Sequence, residues 1–350
     1  MEGDTLSQLK TEVEASTAPY ELKENIAIRL EQMRELRETS AFLPELDRTR
    51  QYVDWIVHLP WQERTEDILD LGHAQEILNR SHHGLQQLKD RILEYMAILQ
   101  LGLQQGKKIS EVRAPIMMFV GLVGTGKTTI ASSIAEALGR KFIRIPFGGM
   151  GDPLDLRGKS RVHSEAEPGK IIKGLRGAGS RNPVILLDEI DRVTDEGRSS
   201  IMGVLVELLD PRQNHAFVDH YIDYPFDLSE ALFIATGNNT RGIATAVLDR
   251  MEILAMPSYS DQEKITIGKE YLLPRALKEA NMPEGAINID DQLWPKIVRP
   301  YGFDGGIRTL ERTIQAAVRK AAKEMVEGKA SSFHFTEENY RQYLPEDQGL

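Results

Sequence analysis

The stretch Pro115-Ile116-Met117-Met118-Phe119-Val120-Gly121-Leu122-Val123-Gly124-Thr125-Gly126-Lys127-Thr128-Thr129 decides how the rest of this chain reads. Its first six residues form a short apolar run suited to a buried parallel strand. Gly121-x-x-x-x-Gly126-Lys127-Thr128 follows, and a helical pattern then runs from Lys127 to Leu138, closed by Gly139 as a C-cap. A glycine-rich turn between a strand and a helix is a phosphate cradle. Its glycines let backbone N–H groups approach phosphate oxygens, and the helix adds the positive end of its dipole. Residues Gly121 through Thr129 are therefore the expected ATP-binding set. Lys127 is a compact cation for the β- and γ-phosphates, and the Thr128 hydroxyl is an expected ligand of Mg²⁺.

Working outward, a second apolar run ends in Asp188-Glu189-Ile190-Asp191. An acidic pair at the end of a buried strand is costly unless chemistry needs it. Asp188 fits a carboxylate that holds the metal ion through a bound water, and Glu189 the base that activates an attacking water. Asn238, after Phe233-Ile234-Ala235-Thr236-Gly237, could orient that water. Arg250 is a candidate arginine finger supplied to a neighbouring subunit, and Arg308 could reach the phosphates from a separate helical domain.

Short apolar runs over Lys141–Pro146, Pro183–Leu187, Ala231–Thr236 and Glu252–Met256 alternate with helical patterns. That alternation predicts an α/β fold, an open parallel sheet flanked by helices, with ligands beyond the carboxyl ends of the strands. Before it, Leu22, Ile26, Leu30, Met33 and Leu36 lie at helical spacing between Tyr20 and Glu38. A second helix is expected over Glu45–Val57, stopped by Leu59-Pro60-Trp61. From Asp261 to Gly328 the periodicity is helical again, with Ser332–Thr336 as one short strand. The domains expected are a helical neck over 1–62, a nucleotide-binding domain over 63–257 and a helical lid over 258–350.

Composition narrows the partners. With a formal net charge of −10, a dedicated nucleic-acid binder is not expected. No apolar run approaches a membrane span, and Met1-Glu2-Gly3-Asp4 does not begin a signal peptide. The absence of cysteine suits a reducing compartment, so a cytoplasmic protein is expected, with an organelle matrix also open.

Several motifs together resemble the ATPase part of the Lon family of ATP-dependent proteases. They are Leu59-Pro60-Trp61, His82-His83-Gly84-Leu85, Pro183 through Asp191, Leu209-Asp210-Pro211, Asp219-His220-Tyr221, Leu248-Asp249-Arg250-Met251-Glu252 and Gly306-Ile307-Arg308. The resemblance implies an AAA+ core with a helical lid, working as a homohexameric ring that unfolds proteins and feeds unfolded or tagged substrates to a peptidase. By it, Asn238 is the first sensor, Arg250 the arginine finger and Arg308 the second sensor, while His83 and Gly84 lie against adenine. The family usually has Tyr where His83 stands.

Three departures accompany the likeness. The family's Ser–Lys peptidase would be expected to follow Leu344, and its globular amino-terminal domain is missing, so either the peptidase lies elsewhere in a longer protein or the chain is a free-standing AAA+ remodeller. A slow, nucleotide-dependent assembly module is a third reading, disfavoured by the intact hydrolysis set. In the loop between Gly158 and Pro168 the family carries an aromatic–aliphatic pair that grips the translocating polypeptide. Here the aligned residues are His163-Ser164, so the grip is expected to be weaker, or to fall to His163 and become pH-sensitive. Finally, Leu122-Val123 replaces two prolines in the phosphate loop, which is expected to loosen it.

Overall fold

The computed structural model describes residues 2–36, 39–40, 42–107, 111–112, 116–299 and 305–344. Pro115, where the first strand is expected to begin, and Glu38, where the first neck helix is expected to end, lie outside them. Three helices open the chain: α1 (Glu2–Ala15), α2 (Tyr20–Glu35) and α3 (Phe42–His58). Leu22, Ile26, Leu30 and Met33 of α2 are buried as their spacing predicts, but Leu36 caps the helix end and is exposed. Helix α3 starts before Glu45 because Pro44 is tolerated in a first turn, where its missing N–H has no carbonyl to serve.

Two helices that the periodicity did not flag come next. These are α4 (Leu71–Ser81), capped by Asp70 accepting from His73 N at 3.0 Å, and α5 (Gln86–Gln104). The nucleotide domain continues with β1 (Ile116–Val120), α6 (Lys127–Ala137), β2 (Phe142–Pro146), α7 (Leu154–Arg157), α8 (Lys170–Ala178), β3 (Val184–Asp188) and α9 (Arg198–Leu208). After it come the two-residue strands β4 (Phe217–Val218) and β5 (Pro225–Phe226), then β6 (Leu232–Gly237), α10 (Thr245–Leu248) and β7 (Met251–Ala255).

The five long strands form one parallel sheet in the order β2-β3-β6-β1-β7, as the alternation of strands and helices predicts. Because β6 is inserted between β3 and β1, the carboxyl ends of β1, β3 and β6 lie side by side. Val120 pairs with Gly237 and Gly121 N donates to Gly237 O at 3.2 Å, so the turn after β1 begins beside Asn238. Sheet order therefore gathers residues far apart in sequence.

The last region holds α11 (Asp261–Ile267), a wide π turn over Gly268–Leu272, α12 (Leu273–Glu279), β8 (Ile287–Ile289), α13 (Trp294–Val298), α14 (Arg308–Val326), β9 (Phe333–Phe335) and α15 (Tyr340–Tyr343). The expectation of continuous helix from Asp261 to Gly328 is corrected by β8, which pairs in parallel with β9. Three residues with Ile287 and Ile289 inward and Asn288 outward are too few to register against helical spacing. Pro274, which cannot donate a helical hydrogen bond, lies just beyond the π turn.

The neck does not stand apart. Its buried Leu6, Ile26, Val53 and Ile56 share one continuous core with Ile143, Leu187 and Leu205 of the α/β layer. Trp61 seals the join: its ring centroid lies 5.1 Å from that of Phe226 and its Nε1–H donates to Ile56 O at 2.8 Å. Truncating a buried tryptophan costs about 3–5 kcal/mol. Urea denaturation of Trp61→Ala should show a loss of that order in a single transition, followed by far-UV circular dichroism. An earlier, separate melting of the helical neck would contradict the continuous core.

Candidate functional site

A cavity of about 970 Å³ opens where the phosphate turn, the end of β3, the turn after α4 and the lid meet. Gly124 and Gly126 adopt left-handed backbone, φ 81° and 94°, which frees the turn's N–H groups to point inward. Lys127 heads α6 and is buried. Its Nζ donates to Gly121 O at 2.7 Å, Leu122 O at 2.8 Å and Asn238 Oδ1 at 3.1 Å. Burial pulls its pKa below the ordinary lysine range, while Glu189, Asp191 and Asp188 pull the other way.

Asp188 ends β3 and is almost fully buried. One oxygen accepts from Thr236 Oγ1 at 2.5 Å and faces Thr128 Oγ1 at 3.5 Å. The other is held by Arg144 of β2, from Nε at 2.7 Å and Nη2 at 2.6 Å. Arg144 is a site residue that the sequence reading missed; its signal was a charge in the middle of the strand pattern Phe142-Ile143-Arg144-Ile145. It also lines the cavity. Glu189 sits in left-handed backbone at φ 58°, and its N–H donates to Thr236 Oγ1 at 2.9 Å. That turn sends Glu189 into the cavity wall beside Lys127 and Thr128.

The lid closes the opposite side. Ile307 N donates to Gly124 O at 2.9 Å, and Tyr259 OH donates to Thr125 O at 3.2 Å. A Cβ on Gly306 would stand 2.4 Å from Val123 O, and one on Gly305 2.5 Å from Leu122 Cδ1. Leu122 and Val123 thus lean on the lid, which holds the turn where looseness was expected. Arg308, first residue of α14, reaches the cavity directly after this clasp.

Not every expected residue faces the cavity. Gly121 is required by packing, since a Cβ there would meet Met256 O at 2.5 Å. Val123, Gly124, Gly126, Lys127, Thr128 and Thr129 line it; Gly121, Leu122 and Thr125 do not. His83 lines it too, with its ring 6.2 Å from that of Tyr271, whereas Gly84 supplies only the left-handed turn after it. Asn238 touches the site through Lys127, and its Nδ2 is buried without a partner.

Arg250 lies outside the cavity, its Nη2 donating to Asp210 Oδ2 at 3.1 Å. His163 and Ser164 do not line it and are exposed on the loop after α7. The residue beside them, Val162, is 85% exposed, so the loop tip is less polar than its sequence alignment implies.

The donor set fits a magnesium-bound nucleoside triphosphate. Among the described residues no cluster of three or more His, Cys, Asp or Glu could hold a metal alone. Thr128, as a direct hydroxyl ligand, and Asp188, acting through a bound water, suit an ion whose remaining ligands are phosphate oxygens and water.

Residues 117–258 match the ATPase family associated with various cellular activities (AAA), and residues 278–333 match the Lon protease AAA+ ATPase lid domain. The chain is 43% identical over 344 residues to Lon protease 2 of Thermus thermophilus, covering 97% of this chain and 42% of that protein. It is 40% identical over 345 residues to Lon protease 1 of Bacillus subtilis, covering 98% of this chain and 43% of the relative. It thus spans about two fifths of the length of these curated relatives. No helix among the described residues is long and apolar enough to cross a membrane.

His82, overlooked beside His83, underlies the phosphate turn. It is buried, its Nδ1 lies 3.0 Å from Ser81 Oγ, and its Nε2 has no partner. Burial, with the Lys89 ammonium nearby, lowers its pKa from 6.5 to about 4. The unfolded chain therefore binds more protons between those values, and stability due to neutral His82 is full above pH 6.5 and lost as pH falls towards 4. Thermal melts should fall less steeply over that window in His82→Asn than in the parent. Parallel slopes would show that His82 is not buried neutral.

Proposed function

The chain corresponds to the AAA+ ATPase module of the Lon proteases, and from that premise we propose that it hydrolyses ATP to drive the unfolding and translocation of polypeptides for degradation. The observation that carries this reading is the convergence of Lys127, Thr128, Asp188, Glu189 and Arg308 on one cavity while Arg250 stays outside it. The first five suffice to bind and position a nucleotide. The sixth, paired with Asp210 outside the cavity, is the one assigned to a neighbouring subunit's site.

In this reading the turn's N–H groups and Lys127 hold the phosphates in line. Thr128 and Asp188 would hold Mg²⁺, which would neutralise charge on the phosphate oxygens. Glu189 takes the proton of the attacking water. Its backbone is fixed through Thr236 to Asp188, so base and metal carboxylate keep one relative placement. Asn238 is anchored on Lys127 by its oxygen, and its buried amide nitrogen has no partner in the protein. Arg308 joins the lid to the phosphates and converts their loss into a movement of the lid.

Arg250 is pre-oriented by Asp210, as an arginine presented to another copy must be. A closed ring supplies every site with such a neighbour, and six copies are the proposed assembly. The loop around Val162, His163 and Ser164 is the proposed grip on the polypeptide, with unfolded or tagged proteins as substrates.

Glu189→Gln should lower phosphate release by about 10²- to 10⁴-fold while a fluorescent ATP analogue still binds. Turnover near that of the parent would remove Glu189 as the base. Arg250→Ala should be similarly slow. Mixing it with Glu189→Gln subunits should restore part of the turnover, because some sites then pair an intact Glu189 with an intact Arg250. No recovery in a mixed assembly would mean that Arg250 does not act across subunits.

A further inference from the structure

The loop between Gly158 and Gly169 is held at its base by one buried carboxylate. Asp219 Oδ2 accepts from Gly169 N at 2.7 Å, and Oδ1 accepts from Tyr221 N at 2.8 Å. At the loop's other end, a Cβ on Gly158 would come within 2.7 Å of Asp219 Oδ1. His220 N donates to Arg157 O at 2.6 Å, and Lys159 N to Glu167 O at 2.9 Å, which closes the stem. These contacts fix where the loop leaves the domain. They do not fix its tip.

The tip is held from the N-terminal helices instead. Arg161 lays its guanidinium over the ring of Tyr52 in α3, with Cζ 3.9 Å from the ring centroid, and its Nη2 lies 3.9 Å from Asp223 Oδ2. Tyr52 is itself buried; its hydroxyl donates to Ile222 O at 3.0 Å, and its ring lies 6.2 Å from that of Tyr221. One aromatic side chain thus touches the segment that anchors the loop's base and the arginine two residues before His163. A planar cation on a buried aromatic face is stronger than the same pair in open water, because neither partner is fully hydrated. An attachment inside an exposed loop also removes backbone freedom that the stem alone leaves.

We propose that Tyr52 is a positioning residue for the polypeptide-gripping loop: it seats Arg161 and so orders the tip at Val162, His163 and Ser164, making helix α3 part of the grip. The proposal rests on the reading of that loop as the grip. It assigns the N-terminal helices a role in substrate handling that the nucleotide cavity does not supply. It also gives the polar tip a source of order in place of the contact area a bulky aromatic would bring.

The chain has no cysteine, so a spin label on His163→Cys reports the tip alone. In that background the parent and Tyr52→Phe, which keeps the ring, should give a slow-motion spectrum. Tyr52→Leu keeps apolar bulk but removes the aromatic face, and should add a fast component. Arg161→Met, which changes the loop side without touching the core, should do the same. In the unlabelled chain, Tyr52→Leu should raise the unfolded-casein concentration for half-maximal stimulation of ATP turnover about tenfold, with basal turnover and KM for ATP unchanged. Identical spectra in all variants would overturn the proposal. A mobile tip with an unaltered casein response would leave Tyr52 as the latch and overturn the reading of the loop as the grip.

Discussion

The hydrogen bond from Ile307 N to Gly124 O is the point on which this molecule turns. Gly124 is in left-handed backbone, and the close packing of Gly305 and Gly306 on Leu122 and Val123 brings lid and phosphate turn into backbone contact. A side chain at Gly306 would press on the backbone of Val123 and Gly124 and force lid and turn apart, whereas one at Gly305 would meet chiefly the end of the Leu122 side chain. The same turn is tied to the sheet on its other side, through Gly121 N and Gly237 O. In the proposed motor a phosphate bound there would press on lid and sheet together, which is how hydrolysis would become movement.

Charge is arranged around that turn with similar economy. Asp188 is buried at the end of a strand whose other residues are apolar, a placement that would be costly for an unpaired carboxylate. Arg144 and Thr236 satisfy its two oxygens, and Thr236 also receives the N–H of Glu189. Three strands therefore meet in one network: β2 through Arg144, β3 through Asp188 and β6 through Thr236. The network fixes Asp188 between Arg144 and Thr236, with Thr128 Oγ1 3.5 Å from it, while Lys127 Nζ is held by Gly121 O, Leu122 O and Asn238 Oδ1.

Much of this was legible in the sequence, for reasons that particular residues make plain. The parallel sheet could be read because β3 and β6 are almost wholly apolar, and each of its five strands is offset from its expected bounds by only a residue or so. The phosphate turn could be read because only a strand, glycines and a helix start in that order make it. Less legible were features that depend on distant packing. Strand β8 is too short to show a period, and α4 buries only Ala74, Ile77 and Leu78, too few to stand out as a face. Arg144 and His82 were missed because their significance lies in what they touch, Asp188 and the phosphate turn respectively. The expected looseness of Leu122-Val123 overlooked two glycines nearly two hundred residues away, which is information that no local window contains.

The most direct test of this account is calorimetric binding of a magnesium complex of a non-hydrolysable ATP analogue to the chain carrying Gly306→Ala. The added methyl would meet the backbone oxygen of Val123 at 2.4 Å, a contact that no rotamer change can relieve. Overpacking of this kind costs about 1–3 kcal/mol, so affinity should fall about tenfold while far-UV circular dichroism stays that of the parent. Parental affinity in that variant would mean that the lid does not help to build the nucleotide site, contradicting the account at its centre.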